Sequence, residues 1–496
     1  MDDGRRGSLI RRCWSSVPER MYVGLDIGSS GIRAVAIGSD GLHIREARRQ
    51  RASDPMSLVD FERDLDLESI WQACLDVLGE VSAGEEVAAV GVAACRHSLI
   101  VTDAGDTVLF ASGNDDVRAS LAGATVEADS DRPVLEITGH TPAMIHWPGK
   151  LRWLTEERPD VCDAAARITT LEGWIATRLG AETVLSQVSA VETGAWDLKV
   201  DSWAREFIPD WAESQLPEVS RDPPAARVRA EIGLGATCRV SAGWPDSHAA
   251  EYATRGLGQD PDCVAAGWST TILRPVDAYD SNALIWRGER MGGGLVAEAN
   301  AGDGGTGYGW LRSRYLPGEL TMAAVSNESA ADAGVFLLSG LRVMDWRAPG
   351  LSVAGMLSPT PFVVGEPTAS MLGTAVLEDL AFAIHGNRLA LDDAQPGEGP
   401  LRLTGGYARA PAAGQILANV CGCSVYSFPG LSAPAWGAAL AAASHDFGGM
   451  DNAVEALVPS GLWHEPDATS VSAFADHYER WLDLRGRLES FVQNAL

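Results

Sequence analysis

The sequence predicts an α/β protein of two domains, each opened by two strands joined through a turn of small residues. Three observations carry that reading. At 496 residues the chain is too long for one ordinary core. Residues 22–37 run strand, Gly-Ser turn, strand, and residues 263–273 repeat the pattern through Gly267-Trp268-Ser269-Thr270-Thr271. After each pair, apolar strands alternate with amphipathic helices. Two such halves suggest a ligand held in a cleft between duplicated domains. The likeness between them is one of pattern, not of residue identity.

The elements follow in order. Residues 67–78 have helical spacing, with Ile70, Trp71, Cys74, Val77 and Leu78 on one face. Residues 87–94 read as a buried strand ending at Cys95-Arg96-His97, and 107–111 as a strand running into Asn114-Asp115-Asp116-Val117-Arg118. Helices are expected at 150–156 and 172–179, and loop with hairpin at 191–203. In the second half, 374–384, 415–421 and 435–443 read as helices, the last entered through Pro434, and 401–404 as a strand. Residues 1–20 are Arg-rich, lack the apolar core of a signal peptide and read as a disordered extension. The domains are then 21–255 and 256–496.

Composition narrows the partners. The net charge of −28 argues against nucleic acid or an anionic membrane surface. Local amides, helix N-termini, Mg²⁺ and arginines can still hold an anionic nucleotide. The eight cysteines have no C-x-x-C pairing, which speaks against a zinc site or a disulfide framework. No apolar run is long enough to span a bilayer, and a cytoplasmic location is expected.

Five short segments bear chemistry. In the first hairpin, Asp26 precedes Gly28-Ser29-Ser30-Gly31, a turn whose amides and hydroxyls suit phosphates, with Asp26 placed to hold Mg²⁺ through water. An ordinary glycine hairpin with Asp26 as a turn residue fits the same letters. Asp246 stands just ahead of an alanine-rich helix, placed to accept a proton from a hydroxyl or simply to cap the helix. Gly405-Gly406 ends a strand with flat backbone that suits an adenine ring or a plain βα turn. Asp116 and Arg118 match vicinal hydroxyls or a surface ion pair. Arg96 and His97 lie at a strand's carboxyl end, where ligands of open α/β sheets bind, although buried structural roles fit them too.

The order of these segments resembles the FGGY carbohydrate kinase family, within the sugar kinase, actin and heat-shock chaperone superfamily. "VGLDIGSSGIRAVAI", "GWPDSHAA", "LTGGYARAPAAGQILANVCGCSV" and "APAWGAALAAA" carry it, with "NDDVRA" and "HTPAMIHWPGKLRWLTEERPDV" beside them. The resemblance spans residues 21–443 and implies two ribonuclease H-like (actin-like ATPase) domains with an interdomain cleft. It implies that Asp246 is the general base and that Asp26 serves Mg²⁺. Gly28, Ser29, Ser30, Arg33, Gly267, Ser269 and Thr270 would surround the phosphates. Gly405, Gly406, Arg409 and Gln415 would meet the adenosine, and Arg96, His97, Asp116, Arg118 and Trp147 the sugar. "GGTGYGWL" at 304–311 is similar to a glycine-rich entry found in gluconokinase-like members.

Four departures bear on function. Trp268 replaces a hydroxyl residue of the second phosphate loop, Asn419 a usual Asp, and Asn114 a common Trp, while "SGLR" at 339–342 lacks the usual glutamate. The implied activity is transfer of the γ-phosphoryl group of ATP to a hydroxyl of a sugar, aldonate or polyol. The alternative is a catalytically degenerate ATP-binding regulator of the same fold. A chaperone-like clamp lacks a peptide domain, since only a short helical tail follows Ser472. The expected partner is a small sugar or polyol, with neither nucleic acid nor membrane, and a homodimer is left open.

Overall fold

Residues 21–28 and 31–38 are apolar at nearly every position, which marks strands whose sheet is covered on both faces. The computed structural model describes residues 20–29, 31–50, 62–256, 261–279, 285–305, 308–309, 329–345, 354–357, 368–397 and 399–495. Residues 1–19, Ser30 and parts of the glycine-rich stretch at 304–311 lie outside the described residues.

The chain divides into two compact units. The first comprises Met1–Gly256, Trp286–Leu295 and Ser432–Pro459; the second comprises Leu257–Ile285, Val296–Leu431 and Ser460–Leu496. The first unit thus draws on two later segments that a single boundary at 255/256 leaves out.

In the first unit, β1 (Met21–Gly28), β2 (Gly31–Gly38) and β3 (His43–Gln50) form an antiparallel meander. β4 (Val87–Ala94) pairs parallel to β1 on its other side. Two short strands extend the sheet along β4: Arg239–Val240 near its start and Trp244–Pro245 at its end. Helix Leu67–Ser82, capped by Asp66, which accepts from Ser69 N at 3.1 Å, buries Ile70, Trp71, Cys74, Val77 and Leu78 in the core of this sheet. A second sheet, Leu99–Thr102 between Val108–Ser112 and Arg167–Thr169, covers a separate core around Trp147 and Leu151.

Helix Ala433–Phe447 lies against β1 and β4 with nothing between the backbones. Gly24 and Gly91 are register partners in the sheet. A Cβ at Gly24 would fall 1.7 Å from Ala435 O, and one at Gly91 1.9 Å from Ala438 O. On the same helix, a Cβ at Gly437 would meet Ala249 O, in helix Asp246–Ala253, at 1.9 Å. Three missing side chains therefore stack sheet, helix and helix at backbone contact, and the outermost helix begins with Asp246.

The second unit repeats the plan. Its sheet includes, in order, Leu295–Gly302, Thr270–Val276, Cys263–Ala266, Leu401–Thr404, Val425–Ser427 and Leu462–His464. Cys263–Ala266 pairs antiparallel with the strand after it and parallel with Leu401–Thr404. This is the strand order 3-2-1-4-5 of the first unit, so the duplication expected from pattern appears in topology. Buried Arg274 donates to Asp262 at 2.8 Å and to Asp392 at 2.6 Å, and Arg388 joins the same Asp262 at 3.2 Å. The segment 191–203, expected to be loop and hairpin, instead opens on the last turn of helix Gln187–Glu192. Ser186 caps that helix by accepting from Ser189 N at 3.2 Å. The hairpin, Trp196–Asp197 with Ser202–Trp203, follows as expected.

No helix among the described residues is long and apolar enough to cross a membrane. The backbone stacking predicts that Gly437→Ala costs about 3 kcal/mol, the upper range for overpacking. Gly79→Ala, whose added Cβ meets nothing within 4 Å, stabilises by up to about 1 kcal/mol. Urea unfolding of the two variants measures the contrast.

Candidate active site

Sheet register gathers the site of the first unit. Asp26 on β1 pairs with Ala93 on β4, and Ala93 pairs with Trp244 on the strand beyond. Asp246 is two residues past Trp244, and β4 runs on into Cys95, Arg96 and His97. Asp26, Asp246, Arg96 and His97 thus leave three adjacent strands at the same end of the sheet. This is where open α/β sheets place ligands.

Asp26 is buried and faces its cross-strand neighbour Arg33, whose Nη1 donates to Oδ2 at 3.2 Å. Burial pushes the Asp26 carboxyl up to about 7 against the pull of Arg33, and the charge of Asp246 adds to the rise. Its Oδ1 has no hydrogen-bond partner among the described residues. A buried carboxylate with one unmet oxygen is a hard anionic donor that suits a divalent cation. Gly28 closes β1 and Ser29 stands exposed in the turn.

Asp246 is the first residue of its helix, half-buried, and accepts from Ser247 N at 2.8 Å. Burial raises its carboxyl; Arg96, the Ser247 amide and His248 pull it back, and Glu192 opposes them. The acid is therefore an acceptor held at a helix N-terminus, with its proton affinity raised.

The residues beside it were only partly visible in the sequence. Arg96 Nη1 donates to Glu192 at 2.7 Å. The Glu192 Oε1 atom lies 2.9 Å from His248 Nε2 and 3.4 Å from His140 Nε2. Burial works against the Glu192 charge, yet Arg96, His140 and His248 outweigh it and hold the carboxyl well below its usual range. His97 adopts a left-handed φ of 60°, uncommon outside glycine, with its Nδ1 2.9 Å from Glu192 O. Its ring packs edge-on against His146 at 4.4 Å and Trp286 at 5.6 Å. Burial pushes both His97 and His146 well below the usual imidazole range, so both are neutral. His146 binds Pro142 O through Nδ1 at 2.9 Å, leaving Nε2 as a buried acceptor without a partner among the described residues.

Asp116 accepts from the Nε of Arg118 at 2.9 Å, and Arg118 reaches on to Asp64 at 2.6 Å. Its guanidinium also lies 5.3 Å from the ring centres of both Phe110 and Trp153. Arg118 is thus tied to acids on two sides. Buried Lys150 donates to His97 O at 2.7 Å and Gly113 O at 2.6 Å, joining the two loops that carry His97 and Asp116. Burial lowers its ammonium to about 8 despite Asp116 and Asp115.

One expectation is corrected. Trp147, expected at the sugar site, is wholly buried; its Nε1 donates to Ser98 O at 2.8 Å and its ring stacks on Trp203 at 5.5 Å. It is core, and Trp286 is the indole among the site histidines. Trp286 sits in a segment the sequence reading passed over. His140 and His146 lay inside the quoted "HTPAMIHWPG", where the tryptophan drew attention away from them.

In the second unit, the turn at Gly267, Ser269 and Thr270 and the pair Gly405-Gly406 lie side by side. A Cβ at Gly405, whose φ is 95°, would fall 2.3 Å from Ala266 O. Gly267 N donates to Ser269 O at 3.0 Å, and Ser269 Oγ reaches Asn300 Oδ1 at 3.4 Å. The Thr270 hydroxyl is buried without a partner among the described residues. Trp268 is 45% exposed, its ring standing against Gly305. Arg409 is exposed. The Gln415 amide nitrogen is committed to Asn419 Oδ1 at 3.1 Å and Glu465 O at 2.7 Å, so its oxygen is what remains for a ligand. Asn419, the departure from Asp, uses that same oxygen to accept from Asp467 N at 2.9 Å.

Comparison with known proteins identifies the family. Residues 21–250 match the N-terminal domain of the FGGY family of carbohydrate kinases, and 308–445 match its C-terminal domain. The chain belongs to this family. An autoinducer-2 kinase of Klebsiella pneumoniae is 28% identical over 188 residues, 36% of this chain and 35% of that protein. The match thus spans about a third of that relative's length. The putative sugar kinase YoaC of Bacillus subtilis is 23% identical over 82% of this chain and 86% of its own. A xyloylose kinase from Brucella ovis superposes with TM-score 0.80 at 21% identity, covering 95% of this chain and 100% of that one. A Plasmodium falciparum glycerol kinase with ADP gives 0.76 at 15% identity, covering 94% and 98%. These likenesses agree with two α/β domains of the FGGY kind.

The raised Asp26 carboxyl has a stability signature. The unfolded chain releases this proton near pH 4 and the folded one near 7, so folding takes up a proton between them and stability falls as pH rises through that window. Asp26→Asn should therefore melt above the parent at pH 8, with the gap closing towards pH 4.5. Thermal scans across that range read it, and a gap independent of pH contradicts the assignment.

Proposed function

We propose that this chain phosphorylates a hydroxyl group of a neutral sugar or polyol with ATP. The observation that carries the reading is Asp246, an acceptor at a helix N-terminus, gathered by sheet register with Asp26, Arg33 and Arg96. The acceptor hydroxyl attacks the γ-phosphorus while Asp246 takes its proton. Amides of the Gly28–Ser29 turn and the Arg33 guanidinium offset charge on the transferring group. Phosphoryl transfer depends chiefly on positioning and electrostatics, which suits a site assembled from small dispersed groups. Asp26 would hold Mg²⁺, which when bound neutralises phosphate charge. In the second unit, Ser269 and Thr270 are proposed for phosphates, and Gly405, Gly406 and Arg409 for the adenosine.

Charge at the sugar end favours a neutral acceptor. Arg96 is matched by Glu192, and Arg118 by Asp116 and Asp64. His97 and His146 are held neutral, and the open Nε2 of His146 accepts from a hydroxyl but repels a carboxylate. An aldonate would bring a charge to arginines, Arg96 and Arg118, that already face acids of the protein.

Asp246→Asn should bind ATP as the parent does and turn over about 10²–10⁴-fold more slowly. Near-parental turnover would remove Asp246 as the base. In an acceptor screen, ketoses or alditols should exceed aldonates of equal length in kcat/KM by about tenfold or more, the least an unpaired buried carboxylate costs. Preference for the aldonates would reverse the neutral assignment, and nucleotide binding without transfer to any acceptor would point to the degenerate regulator. Because Asp26 must shed its proton to hold a cation, Mg²⁺-dependent ATP binding should weaken below pH 7 in the parent. Calorimetric titration should find that dependence absent from Asp26→Asn.

A further inference from the structure

Glu172 is a buried acid that the phosphoryl-transfer scheme does not use. It lies in the first turn of helix Leu171–Leu179, next to the N-cap Thr170, and is 3% exposed. This turn sits flush against the segment that carries the base: a Cβ added to Gly243 would fall 2.5 Å from the Glu172 Cβ. The carbonyl of Gly243 accepts from Ser186 Oγ at 3.2 Å and from Ser189 Oγ at 3.3 Å. The hydroxyls of Ser189 and Thr170 temper the proton affinity of the Glu172 carboxyl. Its Oε2 has no hydrogen-bond partner among the described residues.

We propose that Glu172 is the positioning residue of the base: it braces segment 243–246 from beneath and sets the negative charge under which Asp246 accepts its proton. A carboxyl with one unmet oxygen in a dry site favours the neutral acid. Burial accordingly pushes Glu172 up to about 7, and the Asp246 charge adds to it. Coupling of this kind is mutual. While Glu172 keeps its proton, Asp246 faces Arg96 from the end of β4, His248 from its own helix, Glu192 from the end of Gln187–Glu192, and Asp26 from β1. When Glu172 ionises, a further negative charge arrives behind the strand and Asp246 holds a proton more tightly. Glu172 touches neither substrate nor reacting atoms; it acts through Asp246.

The kinetic half of the test rests on the kinase reading above, and the spectroscopic half does not. In carboxyl ¹³C NMR of the free protein, the Glu172 signal, identified by its loss in Glu172→Gln, should titrate near neutrality. In Asp246→Asn its midpoint should fall by about half a pH unit or more, as a removed neighbouring charge requires. In turnover, the parent's kcat/KM profile should carry an inflection near neutrality, where Glu172 ionises, and Glu172→Gln, which mimics the neutral acid, should lose it while keeping the acid limb and the KM for ATP. Glu172→Ala, which loses the brace as well, should drop kcat by about tenfold. A Glu172 midpoint that ignores Asp246→Asn overturns the proposal, as does a Gln variant whose pH profile superimposes on the parent's. Should the parent transfer no phosphoryl group, the kinase reading fails and the NMR titration alone decides the role of Glu172.

Discussion

Backbone-to-backbone contact between β1, β4 and helix Ala433–Phe447 is the constraint on which the first unit turns. Where Gly24 and Gly91 lie side by side, no side chain separates sheet from helix, and Gly437 repeats the arrangement on the helix's other face. Side-chain layers can slip or repack when a neighbour changes. Backbone atoms at contact have no rotamers with which to adapt. The helix that begins with Asp246 therefore inherits its position from the strand that carries Asp26, through one intervening helix. The base and the metal-binding carboxylate proposed here would have to keep their spacing to a fraction of an ångström, and that spacing is built into main chain.

The electrostatics follow from packing acids that tightly. Asp246 shares its charge with Asp26, Glu172 and Glu192 through low-dielectric surroundings, and the four do not reach one state. Glu192 has Arg96 and two imidazoles and stays ionised. Glu172 has a backbone amide, two hydroxyls and a like charge, with burial the largest influence, and keeps its proton towards neutrality. Asp26 is raised to about 7 as Glu172 is, against the pull of Arg33 and Arg48, and Asp246 is raised against the pull of Arg96 and His248. Four carboxyl groups of similar intrinsic acidity thus divide into one fixed anion and three groups of raised proton affinity, by burial and by the partners they were given. The strain visible at His97 belongs to the same economy, because its φ of 60° delivers Nδ1 to the Glu192 carbonyl.

Sequence disclosed the fold well, for a physical reason. Strand, turn and helix signals are local, and Val87–Ala94 and Leu401–Thr404 appear with the bounds their apolar runs suggest. Candidate site residues were locatable too, since Asp26 and Arg96 stand near the ends of strands that the apolar runs mark and Asp246 just ahead of a helix. What stayed hidden depends on contacts distant in the chain. Glu172 looks like an ordinary first-turn acid until Gly243 is laid against it. Glu192 fell in a stretch read as loop, and Trp286 lies 140 residues after His146 in sequence. Trp147 shows the reverse error: a large aromatic beside a sugar-site motif reads as a contact, yet its stacking on Trp203 could not be foreseen from spacing.

The discontinuity of the first unit has a consequence for how the chain comes into being. Synthesis proceeds from the N-terminus, so β1 and β4 leave the ribosome long before the residues from Ser432 onward exist. Until then the glycine-lined face of that sheet has no cover of its own. The nascent chain carries an open, side-chain-poor sheet surface through translation of most of the second unit, a window in which a chaperone or a neighbouring nascent chain could occupy it. Completion of the catalytic half is therefore a late event in the life of the polypeptide, although nearly all of its chemistry is encoded first.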